Sequence, residues 1–267
     1  MRIYGVDFTC APRRAKPITV ACGFLDKGVL HLEEIEKQES FEAFEALLAR
    51  PGPWVGGFDF PFGLPRELLR DLGWPGEWRA LVAHCAAMSR AELRSALDAY
   101  RASRPPGRKY AHRATDLPAG SSSPMKLVNP PVALMFHEGA RRIAAAGVHV
   151  PALTEGDRSR VALEAYPGLL ARGQLGLRAS YKSDTRRDHT AARKAVRRQI
   201  ADALKAGRPL GIRTRFAKGL EEELVGEGSG DLLDAAICAA QAAWAAVRPG
   251  YGLPAAANGS EGWIVSA

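Results

Sequence analysis

Three strand-like runs, one amphipathic helix and a fourth strand succeed one another within the first 59 residues, and few sheet topologies accept that order. Residues 2–9 alternate and stop at Cys10-Ala11-Pro12. Residues 17–24 and 28–35 read as two further strands, joined through Asp26-Lys27-Gly28 as a hairpin turn. Ser40 then caps a helix whose Phe41, Phe44, Leu47 and Leu48 form one apolar stripe, and Pro51-Gly52-Pro53 ends it. Trp54-Val55-Gly56-Gly57-Phe58 is a short buried strand that stops at Asp59. A strand reached through a crossover helix lies parallel to its neighbour. If that neighbour is the first strand, Asp7 and Asp59 emerge side by side at one edge of the sheet.

Beyond Pro65 the pattern turns helical, with helices predicted near 65–72, 76–87, 89–103 and 131–147. Between the last two runs a loop from Arg104 to Pro130, rich in Arg, Pro, Ser and Gly, carries Ser121-Ser122-Ser123 as a flexible linker. The stretch 65–151 therefore reads as a helical insertion. Residues 161–166 form another buried strand, helices follow at 187–206 and 230–247, and Trp263-Ile264-Val265 is a candidate edge strand. Trp54, Trp74, Trp78 and Trp244 read as core residues. Gly226-Glu227-Gly228-Ser229-Gly230 follows no strand and holds no lysine, so it is a hinge before a helix and not a phosphate-binding loop.

With 46% hydrophobic and 25% charged residues, the 267-residue chain has a globular composition that excludes disordered and collagenous classes. The four cysteines, Cys10, Cys22, Cys85 and Cys238, have no metal-type spacing and read as reduced thiols. The N-terminus runs directly into a strand, and no apolar run reaches membrane-spanning length, so a cytoplasmic protein is expected. A net charge of +8 points toward an anionic partner.

The carboxylates carry the chemistry. An acid inside an apolar strand is expensive to bury unless it is paired or binds a metal, yet Asp7, Asp59 and Glu164 each break such a run. Asp231 and Asp234 open a helix that is otherwise nearly uncharged, and three residues apart they share one face. Each has a structural reading: Asp231 as a first-turn acid, a strand-end aspartate as a turn residue. Five such breaches together are better explained by one shared counter-ion. Oxygen ligands favour Mg²⁺ or Mn²⁺, and a pair of such ions suits phosphodiester cleavage.

Gly5-Val6-Asp7-Phe8, Gly57-Phe58-Asp59-Phe60-Pro61-Phe62-Gly63-Leu64-Pro65, Leu163-Glu164-Ala165-Tyr166-Pro167, Tyr181-Lys182 and Asp231-Leu232-Leu233-Asp234-Ala235 together resemble the DUF429 family, as do Arg113-Ala114-Thr115-Asp116 and the closing Glu261-Gly262-Trp263-Ile264. That resemblance implies a predicted nuclease of ribonuclease H-like fold, with a carboxylate layout similar to RuvC-type resolvases. Asp7, Asp59, Asp231 and Asp234 match that layout. Glu164 has no counterpart in it, and Asp59 stands where a glutamate is usual.

The positive charge is localised. Residues 178–218 hold thirteen Lys or Arg against three acids. Arg193/Arg197 and Lys194/Arg198 stack like charges at i,i+4 on one helix. With Arg186 and Arg187 they predict a phosphate-contacting ridge, a solvated helix face being the alternative. Lys182 is the best single candidate for stabilising charge on a scissile phosphate, an ordinary surface lysine being the alternative. Arg113 is a further nucleic-acid contact or else, with Asp116, a local ion pair, and His112 is a conceivable proton shuttle.

The whole chain, 1–267, is thus expected to be a single α/β domain of ribonuclease H-like type. Its mixed sheet has three antiparallel strands plus parallel ones, is flanked by helices, and carries a helical insertion. The expected activity is divalent-metal-dependent hydrolysis of nucleic acid by Asp7, Asp59, Glu164, Asp234 and Lys182. The rivals are an actin-like phosphotransferase, disfavoured because no glycine follows Asp7 and no second phosphate hairpin is evident, and a non-catalytic nucleic-acid-binding module.

Overall fold

A computed structural model describes residues 1–257 and 259–267. Its sheet has seven strands: β1 (Arg2–Asp7), β2 (Ile18–Asp26), β3 (Val29–Gln38), β4 (Trp54–Asp59), β5 (Val148–His149), β6 (Asp157–Glu164) and β7 (Arg213–Phe216). They lie in the order β5-β6-β4-β1-β2-β3-β7. Strands β1 to β3 are an antiparallel meander, and β4 lies parallel to β1, as the crossover through helix α1 (Phe41–Leu48) requires. Strands β6, β5 and β7 are also added in parallel. The mixed sheet is compatible with a ribonuclease H-like arrangement.

Two corrections concern the sheet edges. Trp263–Val265 forms no strand: Ile264 makes one isolated parallel bridge to Glu164, and the Val265 amide donates to the Glu164 carbonyl at 2.9 Å. The far edge is instead β7, a four-residue strand whose Arg-Thr-Arg-Phe sequence buries only Thr214 fully and so carries no apolar run to announce it.

Helices cover both faces. On one lie α1 and the insertion: α2 (Arg66–Leu72), α3 (Trp78–Ala86), α4 (Arg90–Ser103), the short α5 (Asp116–Ala119) and α6 (Val132–Ala145). Their Leu68, Trp78, Leu81, Leu97 and Phe136 join Val6, Val20 and Phe58 of the sheet in one core. On the other lie α7 (Ala191–Ala206), α8 (Leu220–Gly226) and α9 (Asp231–Ala246). Trp54 and Trp78 are buried, and Trp74 and Trp244 pack partly buried against the cores. Ser121–Ser123 is no linker: Ser123 is buried with its hydroxyl donating to the Ala111 carbonyl at 2.6 Å, and Ser121 donates to Asp116 at 2.9 Å. All four cysteines are free and buried. Among the described residues, no helix is long and apolar enough to cross a membrane.

Helix α9 positions the site. It carries alanine at 235, 236, 239, 240, 242 and 243, all fully buried, and lies directly on β1 and β4. A Cβ on Gly5 would fall 2.0 Å from the Ala235 carbonyl oxygen, and one on Gly57 would fall 2.5 Å from that of Cys238. Glycine on both strands thus lets a helix backbone settle onto the sheet two residues before each strand-end aspartate.

Candidate metal centre

Asp7 and Asp59 are register partners at the carboxyl ends of β1 and β4. Asp234, in the first turn of α9, is fully buried and reaches them from above the sheet. One carboxylate oxygen from each of the three lies within 4.8 Å of the others. Burial, followed by repulsion from Asp231 and Asp234, holds the Asp7 carboxyl well above its ordinary range. Burial and Asp234 push Asp59 up to about 7. Asp234 is raised as well, burial outweighing its partners Lys182 and Tyr181.

Lys182 is ion-paired with Asp234, and the Tyr181 hydroxyl donates to the other Asp234 oxygen at 2.5 Å. The lysine ammonium is stabilised far above its ordinary range: burial opposes the charge, but Asp234 more than compensates. Tyr181 is buried beside it and was visible in sequence only as a neighbour of Lys182.

Asp231 stands next to the cluster but is engaged elsewhere. Both its oxygens accept from the Lys16 ammonium, at 3.0 and 2.9 Å, and Lys16 also donates to Asp184 at 3.1 Å. Sequence reading missed Lys16. Its signal was the basic run Arg13-Arg14-Ala15-Lys16 directly after the Asp7 strand, folded back by reciprocal Arg13–Lys16 main-chain bonds.

The structure does not bring Glu164 into the aspartate cluster. Arg113 donates to its two oxygens at 2.8 and 2.7 Å, and the Phe62 amide adds a third bond at 2.9 Å. This corrects its expected role as a metal ligand: its charge is satisfied by a guanidinium. Arg113 is corrected with it. The side chain is 2% exposed, also clamps Asp116 at 2.9 Å, and donates to the Glu261 carbonyl at 3.0 Å. It ties the insertion loop to β6 and the C-terminal segment and offers no surface to nucleic acid. Glu261 extends the tie by accepting from the Arg66 amide at 2.7 Å.

The expected basic ridge is also resorted. Arg197 is buried, donating to the Val225 and Tyr181 carbonyls at 2.8 and 2.6 Å, so it fixes the Tyr181-Lys182 segment and touches no partner. Arg198 is paired with Glu221 and Glu222. Arg193 donates to the Lys182 carbonyl at 3.2 Å. Arg186, Arg187 and Lys194 are exposed. His112 is exposed. Gly226 ends α8, and the link to α9 is held by Glu227, which accepts from the Ser229 and Gly230 amides at 2.7 Å each.

Fold and site together define an α/β protein whose mixed sheet presents three converging aspartates where β1 and β4 end under a helix. A family model described as "protein of unknown function (DUF429)" matches residues 5–258, and the chain belongs to that family. No curated protein and no solved structure matches it.

Proposed function

We propose that the protein is a divalent-metal-dependent nuclease that hydrolyses phosphodiester bonds in nucleic acid. The observation that carries this reading is the meeting of Asp7, Asp59 and Asp234 within 4.8 Å. All three carboxyls are held above their ordinary range, by burial first and by neighbouring carboxylates next, a setting in which an added cation is favourable. Lys182 and Tyr181 engage Asp234, which leaves Asp7 and Asp59 to share what a cation would supply. An all-oxygen donor set of this size fits Mg²⁺ or Mn²⁺. When bound, one or two such ions would activate a water and stabilise the departing oxygen.

The chain's own residues take the remaining tasks. Asp7, within reach of both Asp59 and Asp234, is suited to hold a shared ion. Lys182 stands beside Asp234 with its side chain 43% exposed, placed to offset charge building on a phosphate. Arg186, Arg187 and Lys194 supply exposed positive charge for a strand backbone.

The test compares Mg²⁺- and Mn²⁺-dependent cleavage of single-stranded, duplex and branched substrates by the wild type and Asp7→Asn. Loss of cleavage in the variant is expected. Equal activity in both proteins would overturn the reading.

A further inference from the structure

A cavity of about 340 Å³ opens beside Asp59 at the carboxyl ends of β4 and β6. A second, of about 530 Å³, contains Asp7, Lys16 and Asp231. Both are lined by Asp59, Lys182, Met135 and the Asn129-Pro130 segment, so the two chambers meet at the aspartate cluster.

The smaller chamber has a fixed aromatic wall. Gln241 of α9, fully buried, grips the main chain of Tyr166 from both sides: it accepts from the Tyr166 amide at 3.0 Å and donates to its carbonyl at 3.3 Å. Gly168 leaves room for the ring, since a Cβ there would come within 2.5 Å of it. Arg172 donates to the Tyr166 hydroxyl, with its guanidinium 5.8 Å from the ring centroid. Met135 and Val132 of the insertion helix, with Ile264, supply apolar surface to the same chamber. Beside the Arg113–Glu164 pair, its cations are Lys126, Arg172 and Lys182, the last also paired with Asp234, and its remaining acid is Asp59.

An anchored ring, apolar surface and three cations next to a phosphodiester site suit a flat heterocycle attached to a phosphate. The volume lies at the small end for ligand cavities, enough for one nucleotide and not for a base pair. We infer that this chamber receives a single unpaired nucleotide, its base against Tyr166 and Met135 and its phosphate toward Lys182. The inference rests on the reading of the aspartates as a phosphodiester site and adds the substrate class: single-stranded, frayed or extruded nucleic acid. A paired base would have to leave its complement to enter.

A free nucleoside monophosphate and an unpaired nucleotide of a strand offer the same chemistry, so the experiment carries both. The full-length protein is titrated in Ca²⁺ with a labelled single-stranded oligonucleotide, the matching blunt duplex and a nucleoside monophosphate. Ser122→Trp, on an exposed lining residue, and Met135→Trp, on the wall, each obstruct the chamber. The single strand is expected to bind at least tenfold more tightly than the duplex, and both variants to lose at least tenfold for it. Mn²⁺ binding at the aspartates, followed by calorimetry, is expected to stay unchanged in Ser122→Trp, whose side chain lines the smaller chamber and not the one that holds Asp7. Tighter binding of the oligonucleotide than of the monophosphate assigns the chamber to a strand, and the reverse order to a free nucleotide. Duplex bound as tightly as single strand, or undiminished strand binding by both variants, overturns the inference. Failure of the wild type to bind Mn²⁺ while obstruction-sensitive strand binding persists would defeat the nuclease reading and leave this one standing.

Discussion

Gly5 of β1 and Gly57 of β4 are register partners, and together they clear the strip of sheet on which α9 rests. Without that close approach Asp234 would not reach Asp7 and Asp59. A Cβ at Gly5 would lie 2.0 Å from the Ala235 carbonyl and 2.1 Å from the Ala239 amide nitrogen, both backbone atoms that no rotamer change can move.

Gly5→Ala is therefore expected to cost about 3 kcal/mol or more in urea unfolding, at the upper end of overpacking effects, and to weaken Mn²⁺ binding with it. Gly76→Ala, where a Cβ meets nothing within 4 Å, serves as the control and should stay within about 0.5 kcal/mol of wild type. Matching stabilities for the two variants would show that α9 does not depend on the close approach.

The Arg113–Glu164 pair makes a second, separable prediction. Arg113→Met strands two buried carboxylates, Glu164 and Asp116, and is expected to destabilise by about 3–5 kcal/mol or more. Adding Glu164→Leu removes one of the two stranded charges, so the double variant should recover part of that loss in the same denaturation assay. A double variant no more stable than the single one would contradict the assignment of Glu164 as a structural partner.

Asp59 sets a pH dependence. Its folded-state pKa, about 7, lies above the value near 3.8 of an unperturbed aspartate, so the folded protein binds the extra proton. Its contribution is fully present below pH 4 and is lost as pH rises through 7. In EDTA, the stability difference between wild type and Asp59→Asn should therefore move against the wild type between pH 5 and 8. Saturating Mg²⁺ should flatten that trend, because a bound cation replaces the proton. Urea midpoints across this range in both media decide it, and a constant difference in EDTA would refute the assignment.

The cations of residues 178–218 should divide into two groups. Replacing Arg186, Arg187 and Lys194 together by alanine should weaken single-strand binding and lower the salt slope by about 0.7 for each phosphate no longer neutralised, with stability intact. Arg197→Ala should do the reverse. Losing its bonds to the Tyr181 and Val225 carbonyls leaves two buried acceptors unpaired and should cost about 2–3 kcal/mol, visible as a lowered unfolding midpoint. Equal salt-slope changes in both proteins would show that burial does not separate these arginines.

How far the site could be read in advance differs residue by residue. Asp7 and Asp59 were legible because a short crossover helix forces the two strands into parallel register, a rule that acts over some fifty residues. Asp234 was legible as a charge in an otherwise apolar helix. Glu164 presented the same signal, an acid within an apolar strand, and it meant something else. Its partner Arg113 lies 51 residues away in a loop of no regular pattern, so nothing local could mark the two as a pair. Arg197 was likewise indistinguishable from Arg193 and Lys194 until α7 turned one face toward Tyr181 and Val225.

The sequence by itself determined the order of the elements, the parallel placement of β4 and the presence of acids that no apolar core would hold without compensation. Alternation, capping and crossover handedness operate between near neighbours and leave their mark in a single chain. Only the tertiary structure decided which acids face a cation of the protein and which face one another. That choice depends on charges far apart in the chain being packed into one low-dielectric place, where each must find a partner or remain unsatisfied.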